Sequence, residues 1–178
     1  SNSSCLANAG WKGVLIEPIP EYAQACRDLY SGNANIKVIE TAIGLKEQDI
    51  EISVAGCLTT TNENLMKEYE SIAWAKGAVQ NAKKIIVKQR VLNDVLYDLN
   101  ITEKIDVLIV DVEGKEKEVF EGFDIEHWQP TIIIVELAHT HPDLFEISAS
   151  DRELQQYISK SGYSVIYKDH VNTVFYLD

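Results

Sequence analysis

The chain has 178 residues, 46% hydrophobic and 25% charged, with a formal net charge of −12 at pH 7. That length and balance suit one globular domain over residues 1–178, without a linker, internal repeat or low-complexity stretch. The acidity argues against nucleic acid and against an anionic membrane surface, both of which call for a basic face. Ligands are expected to be neutral or cationic small molecules, or to have their charge screened by a metal. Cys5, Cys26 and Cys57 are widely spaced, with no zinc-ligand pattern. Cys26 is expected to be a small core residue. With no apolar run of transmembrane length and no signal-like start, a reducing, cytoplasmic setting is expected.

In chain order, Gly13–Pro18 reads as a short buried strand broken by Pro18-Ile-Pro20. A helix is expected over Glu21–Tyr30, with Pro20 in its first turn and Gly32 after its end. Ile36–Ile43 is the next strand. Gln48–Val54 alternates apolar and polar residues, as a strand exposed on one side does. A Thr-rich turn at 57–62 leads to a helix over 65–76, and a loop over 77–84 to a short edge strand, Ile85–Gln89. Leu92, Val95, Leu96 and Leu99 share one helical face over 91–99. Asp106–Asp111 is an unbroken apolar strand, and a helix near 115–123 buries Val119, Phe120 and Phe123. Thr131–Leu137 is again a strand. A loop over 138–150 precedes a helix at 151–160, and strands 165–168 and 173–177 form an antiparallel pair. Alternating strands and helices predict an α/β sheet, mostly parallel, with a C-terminal antiparallel hairpin.

Three apolar strands end on acids: Glu17, Asp111 and Glu136. In open parallel α/β sheets ligands sit just beyond the carboxyl ends of the strands. Asp111 is followed by Glu113 and by Gly114, which permits the tight turn that exposes both acids. Asp111 and Glu113 are therefore candidates for chemistry. The plain alternative for Glu113 is an acid favoured by the dipole at a helix start. Asp111 and Glu136 offer the oxygen ligands that suit Mg²⁺ or Ca²⁺. His139 is a candidate general base, with a loop histidine in solvent as the favoured alternative, and His141 is a weaker candidate. Thr59–Thr61 and Trp74 are candidates to line an acceptor pocket, with an ordinary surface helix as the alternative.

The ordered set GVLIEPIPEY, VIETAIG, VLNDVLYDL, IDVLIVDVEGKEKEVFEGFD and PTIIIVE resembles the FkbM-type methyltransferases from about Gly10 to the C-terminus. The resemblance implies a Rossmann-like methyltransferase sheet, S-adenosylmethionine as cofactor, and methylation of a hydroxyl on a small molecule or sugar. It implies that Glu17 receives the ribose hydroxyls, that Pro18 packs beside the adenosine, and that Thr41, Ala42 and Ile43 form the wall near adenine. The catalytic candidates beside it, on the residues' own chemistry, are Asp111, Glu113, Glu136 and His139, and the resemblance permits a divalent metal without requiring one. The chain departs from the pattern at its start. The first strand and its glycine-rich turn are absent, which leaves a gap in the sheet with unpaired backbone groups. Two explanations are open: the sequence lacks an N-terminal piece of a longer protein, the favoured one, or it is a degenerate fragment. Read as complete, the chain is expected to bind cofactor weakly or not at all. The alternative reading is a non-catalytic binding module on the same sheet.

Overall fold

The computed structural model describes residues 3–56, 59, 67, 72, 76–137 and 149–178. In chain order the elements are α1 (Ser4–Asn8), β1 (Gly13–Ile16), α2 (Pro20–Leu29), β2 (Ile36–Ile39), β3 (Ala42–Ile43), β4 (Gln48–Val54), α3 (Lys76–Gln80) and β5 (Lys83–Arg90). Then follow α4 (Leu92–Asp98), β6 (Val107–Val110), α5 (Glu116–Glu121), α6 (Ile125–Trp128), β7 (Ile132–Glu136), α7 (Ala149–Lys160), β8 (Tyr163–Lys168) and β9 (Asn172–Leu177). The strands form three sheets, in the orders β1-β2, β3-β5-β4 and β6-β7-β9-β8. The pairs β1–β2, β3–β5 and β6–β7 are parallel, while β4–β5, β7–β9 and β8–β9 are antiparallel. The architecture is mixed α/β, and the expected C-terminal hairpin is present.

The main core lies where α5, α6 and α7 meet the sheet that carries β6, β7 and β9. Phe120, Ile125, Leu154, Ile158, Ile133 and Phe175 are sealed there, each at most 2% exposed. Burying side chains of this size contributes roughly 1.5–3 kcal/mol each. Alternation along β7 places Ile133 and Val135 in this core. A smaller cluster of Ala42, Ile52 and Val87 joins the β3-β5-β4 sheet. Helix α6 is closed by Asp124, whose carboxylate accepts the His127 N–H at 3.0 Å.

Several local expectations are corrected. The strand expected over 36–43 divides at Glu40, because β2 pairs with β1 whereas β3 pairs with β5. The segment expected as an edge strand, β5, is longer and central, flanked by β3 and β4. Lys84 and Lys88 lie on the solvent face while Val87 and Gln89 point inward and are buried, so this pair of charges marks one face and not an edge. Part of the expected 77–84 loop is helical in α3. Helix α6 separates α5 from β7, and β8 starts at Tyr163, right after Gly162. Cys26 is half-buried beside a cavity and not in the core. The predicted turn at 57–62, apart from Thr59, and most of the helix at 65–76 lie outside the described residues.

The strand β1 was expected to be buried, yet all four of its residues are half-exposed. Among the described residues its one paired strand is β2, and that of β6 is β7. Gly13 and Glu17 donate their N–H groups to Asn35 and Ile39 of the β2 side. Alternation then turns the backbone groups of Val14 and Ile16 the other way. On β6, the Asp106 carbonyl accepts from Ile132 on the β7 side, so Val107 and Ile109 turn away from β7. Both open edges line one cavity of about 1260 Å³. The gap expected from the sequence is thus present between β1 and β6.

Candidate active site

The cavity between the half-sheets collects the strand-end residues singled out by sequence. Glu17, Pro18, Thr41, Ala42, Ile43, Asp111 and Glu113 all line it. Its volume exceeds the 300–1,000 Å³ of ordinary small-molecule pockets. Glu17 follows β1 directly and leads into the Pro18-Ile-Pro20 break. One of its oxygens accepts the Ile19 N–H at 2.9 Å, which fixes the side chain at the turn. Burial raises its pKa, partly offset by that hydrogen bond. The turn-capping role and a ligand role are therefore compatible, since a carboxylate has a second oxygen to offer.

Thr41 is 2% exposed, and its hydroxyl donates to the Lys88 carbonyl at 2.9 Å. It ties the start of β3 to β5. Ala42 is buried and Ile43 half-buried, so small and apolar groups face the cavity here. Gln89 on β5 also lines the cavity, and its Nε2 donates to the Lys46 carbonyl at 2.9 Å. An added Cβ on Gly44 would fall 2.4 Å from the Gln89 amide carbon, so a larger residue here would displace the Gln89 side chain.

The second wall carries the acids. After β6 the chain turns sharply through Glu113 at φ 54° and Gly114 at φ 92°. Only glycine occupies the latter region without strain. The turn brings Asp111 and Glu113 beside Glu136 at the end of β7, with one carboxylate oxygen of each within 4.8 Å of the others. The Glu136 carboxyl is pushed up to about 9, first by burial, then by its hydrogen bond to Asp111 and by the negative charge of Glu113, Asp111 and Glu116. Glu136 therefore keeps its proton at neutral pH and shares it with Asp111. Three acids converge as a proton-holding cluster, and an isolated surface carboxylate would not behave this way.

Sequence reasoning missed Glu116, the first residue of α5. It is 4% exposed, and one carboxylate oxygen accepts the N–H groups of Val112 and Gly114, each at 3.1 Å. Burial raises its pKa to about 7, against the lowering effect of these hydrogen bonds, with a further rise from Asp151. In the run Glu113–Glu118 it looks like part of a solvated helix face; only its spacing from Phe120, four residues on, places it on the inward side. His139, His141 and Trp74 lie outside the described residues, as do Thr60 and Thr61. Thr59 lines the cavity and its hydroxyl donates to the Gly56 carbonyl at 2.7 Å. His127 and His170 are exposed.

The model of the methyltransferase FkbM domain family matches residues 1–165. The chain belongs to this family of methyltransferases. It is 29% identical over 142 residues to "Methyltransferase sdnD" of Sordaria araneosa, a match covering 66% of this chain and 53% of that protein. It thus spans about half the length of that curated relative. Among solved structures, a methyltransferase FkbM from Methylobacillus flagellatus KT superimposes with a TM-score of 0.52 at 15% identity. That superposition covers 92% of this chain and 36% of the other, and it establishes the shared fold. Among the described residues no helix is long and apolar enough to cross a membrane.

Proposed function

We propose that this chain carries the cofactor and acid walls of an S-adenosylmethionine-dependent O-methyltransferase acting on a hydroxyl of a small molecule such as a sugar. The observation that carries the reading is that Glu17 and the pair Asp111 and Glu113 line the same cavity from separate strand ends. An acidic cavity in a chain of net charge −12 also suits a cationic ligand. When bound, S-adenosylmethionine supplies an electrophilic methyl group on sulfur. The second oxygen of Glu17 receives the ribose hydroxyls, a charge-assisted contact. Pro18 flanks the adenosine, and Ala42 and Ile43 with the Thr41 backbone form the wall near adenine. With the cofactor bound as methyl donor, Asp111 would orient the acceptor hydroxyl and take up its proton. Glu136, protonated and hydrogen-bonded to Asp111, fixes the direction of that carboxylate.

A second reading rests on the three converging carboxylate oxygens. A divalent cation with a preference for oxygen, such as Mg²⁺, would replace the shared proton and lower the acceptor's pKa. Dependence of transfer on Mg²⁺, abolished by chelation, would favour it.

The test is calorimetric titration of S-adenosylhomocysteine into this chain and into Glu17→Ala. Affinity is expected to be low, because the wall between β1 and β6 is open, so the comparison carries the test. Loss of a hydrogen bond to a charged group, worth about 1.5–3 kcal/mol, corresponds to roughly a 10- to 100-fold weakening. Equal binding by both proteins would refute the ribose role. Binding with no transfer to any hydroxyl acceptor would favour the non-catalytic module.

A further inference from the structure

We propose that Glu116 is the positioning residue of the acid cluster: by accepting the Val112 and Gly114 amides on one oxygen, it holds the turn that presents Asp111 and Glu113 to the cavity. The inference rests on the reading of that cluster as the methyl-transfer site.

The turn after β6 has two consecutive residues at positive φ, Glu113 and Gly114. Glycine accepts this freely, but glutamate does not, and a strained residue persists only where its surroundings hold it. What holds it is visible. The amides on either side of Glu113 both donate to the same Glu116 oxygen, at 3.1 Å each. The Val112 N–H lies in the peptide plane 111–112 and the Gly114 N–H in the plane 113–114, so one shared acceptor clamps these two planes at the ends of the Val112–Glu113 segment and restricts the rotations between them, those of Glu113 included. With those planes fixed, the path from Asp111 to Gly114 is fixed, and so are the starting points of both acidic side chains.

A generic role at a helix start does not account for this. An acid in the first turn is favoured by the helix dipole even when exposed to solvent. Glu118, in the same first turn, is such a residue, half-exposed and paired with Lys115. Glu116 instead is buried, points back towards the strand end, and faces the equally buried Asp151 of α7. Placing two acids together in the interior is costly. The two backbone donors explain why Glu116 is kept there in spite of that cost. Glu116 itself does not line the cavity, so it acts through the turn and not on the acceptor.

The experiment separates reach from charge. Glu116→Asp keeps the charge but withdraws the carboxylate by one methylene, so it cannot reach both amides. Glu116→Gln keeps the reach and an acceptor oxygen but loses the charge. Both are compared with the unsubstituted chain by NMR and by methyl transfer from radiolabelled S-adenosylmethionine to a panel of monosaccharides, phenols and simple alcohols. In Glu116→Asp the strong intraresidue amide–Hα NOE of Glu113, which marks its positive φ, should vanish. Its kcat should fall about 100-fold, the scale set by a displacement of about 1 Å, with KM for the cofactor little changed. Glu116→Gln should retain the NOE and most of kcat. The reverse order, with Asp tolerated and Gln impaired, would overturn the inference in favour of an electrostatic role. Retention of the NOE and kcat in both would overturn it outright. If the unsubstituted chain transfers no methyl group, the site reading fails while the NOE comparison still decides whether Glu116 holds the turn.

Discussion

Replacing Glu136 by Gln should make the protein more resistant to alkaline pH. In an unfolded chain Glu136 ionises near 4.5; in the fold it is pushed up to about 9. Between those values the unfolded state has released a proton that the folded state retains. The stabilisation from the protonated carboxyl is complete below 4.5 and is lost as pH rises through 9. Each pH unit in that window costs at most about 1.4 kcal/mol. Glu136 is only partly buried, so solvent screening reduces the total to about 2–3 kcal/mol. Gln cannot ionise, and its amide can donate to Asp111 as the protonated acid does. Urea unfolding of both proteins from pH 4.5 to 9 is the assay. The stabilities should start close together and diverge in favour of Glu136→Gln, by the equivalent of roughly 5–10 °C in Tm near pH 9. Glu116 is also raised, to about 7, but it is present in both proteins and largely cancels. Parallel stability curves would show that Glu136 is not held protonated by Asp111 and Glu113.

Two further outcomes concern the frame. Asn93→Ala removes the oxygen that accepts both the Trp128 indole N–H at 2.9 Å and the Asp124 amide at 3.0 Å; leaving buried Trp128 without its acceptor should cost about 1–3 kcal/mol in urea unfolding, and an unchanged midpoint would refute the assignment. In hydrogen exchange, the amides of Val14, Ile16, Val107 and Ile109, on the open strand edges, should exchange faster than Leu15 and Leu108, which face paired strands; uniform protection along β1 and β6 would show that the groove edges are paired.

The acids at strand ends were legible because an apolar run that stops abruptly on a carboxylate has few interpretations. Glu17, Asp111 and Glu136 all sit where the pattern put them, and Gly114 has the positive φ expected of it. What escaped was whatever depends on a partner distant in sequence. β5 carries Lys83, Lys84 and Lys88, which resemble the guards of an edge strand, and only the pairing of β3 and β4 on its two sides makes it central. The break at Glu40 was hidden because two short strands with different neighbours leave the same apolar trace as one long strand. Glu116 was hidden among charges because burial of an acid is decided by the backbone donors it finds, and those come from a turn whose shape no periodicity reveals.

Among the described residues no strand pairing joins the cavity's two walls, and the Lys12–Glu103 ion pair that links them is exposed to solvent. Glu17 follows a strand that, among the described residues, pairs in one sheet, and Asp111 follows a strand that pairs in another. Any molecule that grips both acts as a tie-bar between two plates, and its apparent affinity reports the stiffness of the joint as much as the quality of its contacts. Substitutions far from the ligand that loosen the packing between the plates should therefore weaken binding without touching a single contact, and those that brace it should tighten binding in the same silent way.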